Sequence, residues 1–233
     1  MNNPGSIVAV IPARGGSRRI PRKNLVPLLG KPLLAYTVEA ALESQVAEWV
    51  IVSTNSTEIA DVARRYGAEV VERPEEISHD TASTESALLH VVGVLRASGW
   101  DPEFVLTLPP TSPLRSAASI RSFVAAFRER MDLFDAMISV TEDFGDYWIR
   151  VGPETYERLF KDAPRRRQDR TPIYDENSAM YITRTSSLVR TGSVLGSSVT
   201  AFVLDPVEAI DINEPADLEW AELHLRRRGR TDE

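Results

Sequence analysis

The chain opens with an apolar, β-branched run, Ser6–Ile11, of the kind that forms a buried strand. Similar short runs follow at Trp49–Ser53, Ala68–Val71, Phe104–Leu108 and Ala136–Val140, and between them the apolar spacing changes to a helical one. In Lys31–Glu43, residues Leu33, Leu34, Val38, Ala41 and Leu42 share one helix face, with Pro32 in the first turn, where a missing N–H is tolerated. Ser56–Tyr66 reads as a helix stopped by Gly67, and Thr84–Ala97 and Ala117–Arg130 as longer amphipathic helices. Strand and helix alternating at short spacing predict an α/β fold with a mostly parallel sheet covered by helices. Ligands of such sheets sit beyond the carboxyl ends of the strands. Arg14, Asn55 and Thr111 each follow a strand and are expected to face one cleft.

The rhythm breaks across 141–198. Tyr147, Trp148, Tyr156 and Phe160 lie there without clear periodicity, followed by the strongly basic APRRRQDR and a strand-like Tyr181–Thr183. The segment reads as an inserted arm or dimerisation subregion within a single domain spanning 1–233. Val199–Leu204 returns to strand character, and Glu214–Arg228 reads as a terminal helix with Pro215 in its first turn. The last residues, 229–233, are expected to fray.

Composition narrows the chemistry. A formal net charge of −7 argues against nonspecific nucleic-acid binding. With no cysteine, thiolate nucleophiles and cysteine-ligated zinc are excluded, and three scattered histidines make a histidine-rich metal site a poor expectation. His79 and His90 are read as incidental. No export signal is seen, and no apolar run reaches the roughly 20 residues a membrane helix needs, so the expected location is cytoplasmic, with no membrane partner.

Against this acidic background, VAVIPARGGSRRIPRKN collects Arg14, Arg18, Arg19, Arg22 and Lys23 just where a strand ends. A strand running into a glycine-containing turn presents backbone N–H groups to an anion, and Gly15 and Gly16 let the backbone come close. Arg14 can fork onto phosphate oxygens and Lys23 can add a point charge. Neither GxxxxGK[ST] nor GxGxxG is present, so the loop is neither a Walker loop nor a dinucleotide fingerprint. A nucleoside triphosphate is the expected ligand.

IPARGGSRRIPRKN resembles the signature of the acylneuraminate cytidylyltransferase family. GKPLLAYTVEAALES, VIVSTNSTEIADVARRYGAEVVERPEEIS, DTASTESALLHVV, PTSPLRS, RRQDR with NSAMYI, and AIDINEPADLEWAE resemble family segments in the family's order. The resemblance implies a three-layer nucleotidyltransferase domain with a small dimerisation arm, CTP at the first loop, Mg2+ near carboxylates and phosphates, and a homodimer. It implies that the anomeric hydroxyl of an acid sugar of the sialic type attacks the α-phosphorus of CTP. Arg14 is then a triphosphate contact, Lys23 the second basic residue of the motif and Asn24 a neighbour of the cytidine. Arg73 lies near the nucleotide. Ser83 or Thr84 meets the base or ribose, and Thr84 is equally a helix-cap candidate. Thr111 and Ser112 fall to the substrate, as do Arg166 or Arg167 toward the sugar carboxylate and Asn177 and Tyr181 beside it. Arg115, Arg18 and Arg22 match without a settled role. Asp211 is the expected metal ligand with Asn213 beside it; Asp217 and Asp205 are weaker acidic alternatives.

Three positions depart from the family pattern. Pro109 replaces a glutamine that contacts the sugar, Ser178 replaces a glycine, and Asn213 replaces an aspartate near the metal. Rival expectations are a relative acting on a different acid sugar, including Kdo, and a catalytically degraded binding or regulatory protein.

Overall fold

The computed structural model describes residues 2–17, 19–79 and 81–228; Arg18 and the tail 229–233 named above lie outside them. Strand β1 (Asn2–Pro12) leads through a 3-10 turn (Lys23–Leu25) and a hairpin, β2 (Pro27–Leu28) and β3 (Lys31–Pro32), into α1 (Leu33–Ser44). There follow β4 (Trp49–Thr54), α2 (Thr57–Arg65), β5 (Glu69–Glu72), α3 (Thr84–Ala97), β6 (Asp101–Thr107), α4 (Ala117–Arg128) and β7 (Ala136–Asp143). The second half holds a small hairpin, β8 (Trp148–Arg150) and β9 (Tyr156–Arg158), then β10 (Ile173–Arg184), α5 (Thr185–Thr191), β11 (Val199–Val203) and α6 (Pro215–Arg228).

Seven strands form the main sheet in the order β11-β7-β10-β6-β1-β4-β5. All neighbours pair in parallel except β10, which runs antiparallel between β6 and β7. Side chains alternate across β1: Ile7, Ala9 and Ile11 pack with α1, α2 and α4, while Val8 and Val10 pack with α3 and α5. That alternation makes the three layers. The chain winds from β1 out to β4 and β5, then crosses back to β6 on β1's other side. The carboxyl ends of β1 and β6 therefore flank a topological switch point, where open α/β sheets bind ligands.

Two expectations change. Lys31 and Pro32 do not open the helix; they pair as β3 with β2, and α1 starts at Leu33 with Pro32 extended as its cap. A residue before proline disfavours helical backbone, and Leu29 and Gly30, both with positive φ (48° and 80°), make the tight turn that closes the hairpin. Within 141–198, Ile173–Arg184 is not peripheral but a strand inside the main sheet. A register shift between Glu176 and Tyr181 and a polar, partly exposed first half hide its period from pattern reading. The stretch between β7 and β10 carries the β8–β9 hairpin, a two-stranded sheet of its own.

Candidate active site

The turn after β1 is fixed by neighbouring backbone and amides. The Asn24 side chain donates to the Arg14 carbonyl at 3.0 Å. The Gly15 N–H donates to Asn55 Oδ1 at 2.9 Å, and a Cβ built on Gly15 would lie 3.1 Å from Ser56 Cβ. A side chain at Gly15 would crowd the turn into α2, and its N–H serves the fold; the expectation that it faces an anion is corrected. Arg14, Gly16, Lys23 and Asn24 do line a cleft of about 550 Å³, together with Arg19, Arg73, Ser83, Thr84, Pro109, Thr111 and Asn213. Among the described residues, four of the lining side chains are cationic and none is acidic, which is the electrostatics a polyphosphate requires.

Lys23 connects the loop to the far end of the chain. Its Nζ donates to the Ile212 carbonyl at 2.7 Å, and the Ile212 N–H donates to the Thr111 carbonyl at 2.8 Å. Partial burial lowers the Lys23 pKa; Asp211 opposes that, and Arg19 and Arg14 add to it. Ile212 is therefore clamped from both sides, with Asp211 and Asn213 flanking it. Asp211 Oδ2 accepts from Asn213 Nδ2 at 2.5 Å, while Asp211 Oδ1 is buried without a partner. A buried carboxylate oxygen left open in this way fits a cation ligand. Among the described residues no three His, Cys, Asp or Glu side chains form a metal-ligand group, so such a cation would complete its shell with water and phosphate oxygens. Asp217 and Asp205 do not take this role. Asp217 Oδ2 accepts the N–H groups of Asn213 and Glu214 at 2.8 and 2.7 Å at the start of α6, and Asp205 accepts from Val207 N at 2.8 Å.

Arg73 is 7% exposed and bonds Ser53, Nε to Oγ at 3.3 Å and a terminal nitrogen to the carbonyl at 2.9 Å. Burial first, and Arg14 second, lower its pKa to about 10. Ser83, not Thr84, caps α3: its Oγ accepts from Ser86 N at 3.2 Å, and Thr84 is the first helical residue. Ser112 is 1% exposed, lines neither cavity, and has a buried hydroxyl without a partner, so it does not reach the substrate space assigned to it. Arg115 is 2% exposed and structural: it bonds the carbonyls of Ala179 and, at 3.4 Å, Pro109, and Thr37 Oγ1 at 3.1 Å. Burial lowers its pKa to about 9, with Glu208 opposing. One guanidinium thus joins α1, the loop after β6 and β10. Arg22 pairs with Glu58 at 2.6 Å in an exposed bridge away from the cleft lining.

A second cavity of about 520 Å³ is lined by Arg167, Asn177, Ser178 and Asp211, with Glu142, Asp143, Asp175 and Glu176 among its other walls. Arg166 is exposed and lines neither cavity, so of the two arginines only Arg167 reaches this space. Asn177 Oδ1 accepts from Ser139 Oγ at 2.6 Å and Ala179 N at 3.1 Å, and its Nδ2 is buried without a partner. Tyr181 is buried at 8% exposure and donates to Glu176 Oε1 at 2.7 Å; it acts on the cavity only through Glu176. Burial and that bond raise its pKa. Ser178 has φ +58°, the left-handed region where a glycine is at ease. Sequence reading missed the cavity's acidic walls because Glu142 and Asp143 meet Asp175 and Glu176 only when the end of β7 pairs with the first half of β10, and missed Thr81 of the cleft although it stands in the quoted DTASTES.

A family model described as Cytidylyltransferase matches residues 8–192. The N-acylneuraminate cytidylyltransferase of Escherichia coli O18:K1:H7 is 34% identical over 218 residues, covering 92% of this chain and 51% of that protein, so the chain spans about half of that relative. The CMP-N,N'-diacetyllegionaminic acid synthase of Legionella pneumophila is 35% identical over 226 residues, covering 92% of this chain and 93% of that one. A solved CMP:2-keto-3-deoxy-manno-octonic acid synthetase complexed with CTP superposes with a TM-score of 0.68 at 16% identity, covering 96% of this chain and 99% of that one, which shows the shared fold. The match over residues 8–192 and the near full-length Legionella relative place the chain in the cytidylyltransferase family.

Proposed function

We propose that the chain joins CMP from CTP to the anomeric hydroxyl of a nine-carbon 2-keto-3-deoxy acid sugar of the sialic type and releases pyrophosphate. The observation that carries the reading is the pair of cavities meeting at Asp211–Ile212–Asn213: Asn213 lines the basic cleft and Asp211 the second cavity. A triphosphate in the cleft meets Arg14, Lys23 and Arg73, whose charges offset the negative charge that builds on the departing pyrophosphate. Asn24, anchored to the Arg14 carbonyl, borders the nucleoside. In the second cavity Arg167 forks onto the acid's carboxylate, and the open Nδ2 of Asn177 donates to it or to a ring hydroxyl. The two cavities align the attacking oxygen with the α-phosphorus; the new O–P bond forms as the bond to the β-phosphate oxygen breaks. Asp211, with Asn213 beside it, would hold Mg2+, which when bound neutralises phosphate charge and acts as a Lewis acid.

A homodimer goes with this reading. Trp148, Ile149 and Tyr156 on the β8–β9 hairpin, with Phe160 just beyond it, are 45–58% exposed. Large exposed apolar side chains on a hairpin outside the main sheet favour burial against a second copy. A relative acting on a different acid, including Kdo, is the second reading. Pro109 has no side-chain donor, and its carbonyl is already taken by Arg115, so the glutamine contact implied by resemblance has no direct substitute at that position.

The test combines purified protein, magnesium, each of the four nucleoside triphosphates and N-acetylneuraminic, legionaminic, pseudaminic and Kdo acids. Pyrophosphate and nucleotide-sugar mass are read together. The expected result is a CMP adduct with CTP and a nine-carbon acid. An adduct with Kdo alone supports the second reading, and folded protein that turns over none of them contradicts the assignment.

A further inference from the structure

We propose that Asp146 is a positioning residue for the acid-sugar cavity: its carboxylate clasps the loop that presents Arg167. The inference rests on the role given to Arg167 above and adds a residue that touches neither cavity.

Three arginines converge on this one carboxylate. Arg158 Nε donates to Oδ1 at 2.8 Å and a terminal nitrogen to Oδ2 at 3.2 Å; Arg170 and Arg165 reach Oδ2 at 3.2 and 3.4 Å. The Arg158 and Arg170 side chains are only 14% and 11% exposed, although the segment lies outside the main sheet and next to no large core. Both also donate to backbone carbonyls, which ties the loop to itself. Arg158 bonds the carbonyls of Lys161 and Ala163 at 3.3 and 2.9 Å. Arg170 bonds those of Pro164 and Arg165 at 2.8 Å each, and that of Phe144 at 2.9 Å. Asp146 thus orients two guanidinium forks, and the forks lace down the backbone on the N-terminal side of Arg167 while Arg170 itself anchors the C-terminal side. Between the anchors, Asp169 N bonds Arg166 O at 3.1 Å and Arg170 N bonds Arg167 O at 3.2 Å, a single 3-10 turn. Arg167 leaves that turn into the second cavity, near enough to Asp143 that its charge helps hold the Asp143 carboxyl low, behind the Tyr147 hydroxyl and the Gly145 N–H.

An acid-binding arginine on a loop needs such a clasp. A loop without a core under it samples many conformations, and an arginine misplaced by an ångström loses fork geometry toward a planar carboxylate. Asparagine at 146 keeps the shape but removes the charge and one acceptor, so it cannot serve both buried forks. Glutamate keeps the charge at a greater reach.

The test uses the full chain and its Asp146→Asn, Asp146→Glu, Arg167→Ala and Asp146→Asn/Arg167→Ala variants. Amide hydrogen exchange over 161–170 is read first, because it needs no substrate. Initial rates follow, with CTP and the accepted acid of the panel varied separately. Asp146→Asn is expected to speed exchange over 161–170 and leave β1, β4 and β6 unchanged, and to raise KM for the acid about tenfold with KM for CTP within about twofold. Asp146→Glu should recover part of both, and on the Arg167→Ala background the Asp146→Asn penalty should vanish. Unchanged exchange over 161–170, or a full Asp146→Asn penalty persisting without Arg167, overturns the proposal. Arg167→Ala with an unchanged KM for the acid instead overturns the role of Arg167, and so separates the two failures.

Discussion

The two cavities are built in different ways. The basic cleft stands on the parallel centre of the sheet. Its loop is held by Asn24, Asn55 and the Lys23–Ile212 bond, and among the described residues its lining carries Arg14, Arg19, Lys23 and Arg73 without an acidic side chain. The second cavity stands on the antiparallel strand. It is walled by Glu142, Asp143, Asp175, Glu176 and Asp211 against Arg167, and shaped by a bulge and a serine in left-handed backbone. One site is rigid and generic, suited to a triphosphate. The other is assembled from loop lacing and local strain, where single substitutions can reshape what is accepted.

If the cleft performs the charge neutralisation, Arg14→Ala gives the largest effect: kcat should fall about 10²–10³-fold by pyrophosphate release, with the melting temperature little changed. Arg115 joins the two regions, and Arg115→Met leaves the Ala179 and Pro109 carbonyls without their donor. It should cost about 2–3 kcal/mol in urea unfolding, or roughly 4–12 °C in melting temperature. An unchanged midpoint would mean the cavities do not depend on that shared anchor. Ser178→Gly relieves left-handed strain at the second cavity only, and should add up to about 1 kcal/mol while changing KM for the acid more than KM for CTP.

The smallest effect concerns pH. Burial, with Arg73 nearby, lowers the His90 pKa below 6.5, and its Nδ1 is buried without a partner. The fold prefers the neutral ring, so this contribution is complete above the unfolded pKa near 6.5 and is lost as pH falls through the lower folded value. His90→Gln should therefore lose less melting temperature than the parent between pH 7 and pH 5; an equal loss would show that His90 carries none of the acid limb.

The cleft was legible in the sequence and much of the second cavity was not. A strand ending in PARGG, and carboxylate-bearing AIDIN after an apolar run, are local signals whose chemistry survives folding unchanged. Gly15 shows the limit of such reading: its residue type was informative, but the reason is the approach of Ser56, a contact 41 positions away. The same limit hid β10, whose bulge breaks the two-residue period, and hid Asp146, whose partners are the guanidinium groups of Arg158, Arg165 and Arg170, 12 to 24 positions away. Ser112 and Tyr181 matched a motif yet lie buried behind the walls they were expected to form. A motif records which residues travel together and does not record which of them face the cavity.

The division of labour between the two cavities is tested most directly by measuring KM for CTP and for the accepted acid in Arg14→Ala and Arg167→Ala side by side. The predicted result is a crossed pattern: Arg14→Ala impairs kcat and the CTP term, and Arg167→Ala raises KM for the acid while leaving CTP within about twofold. If both substitutions move the same constant in the same proportion, the cavities do not hold separate substrates and the account fails.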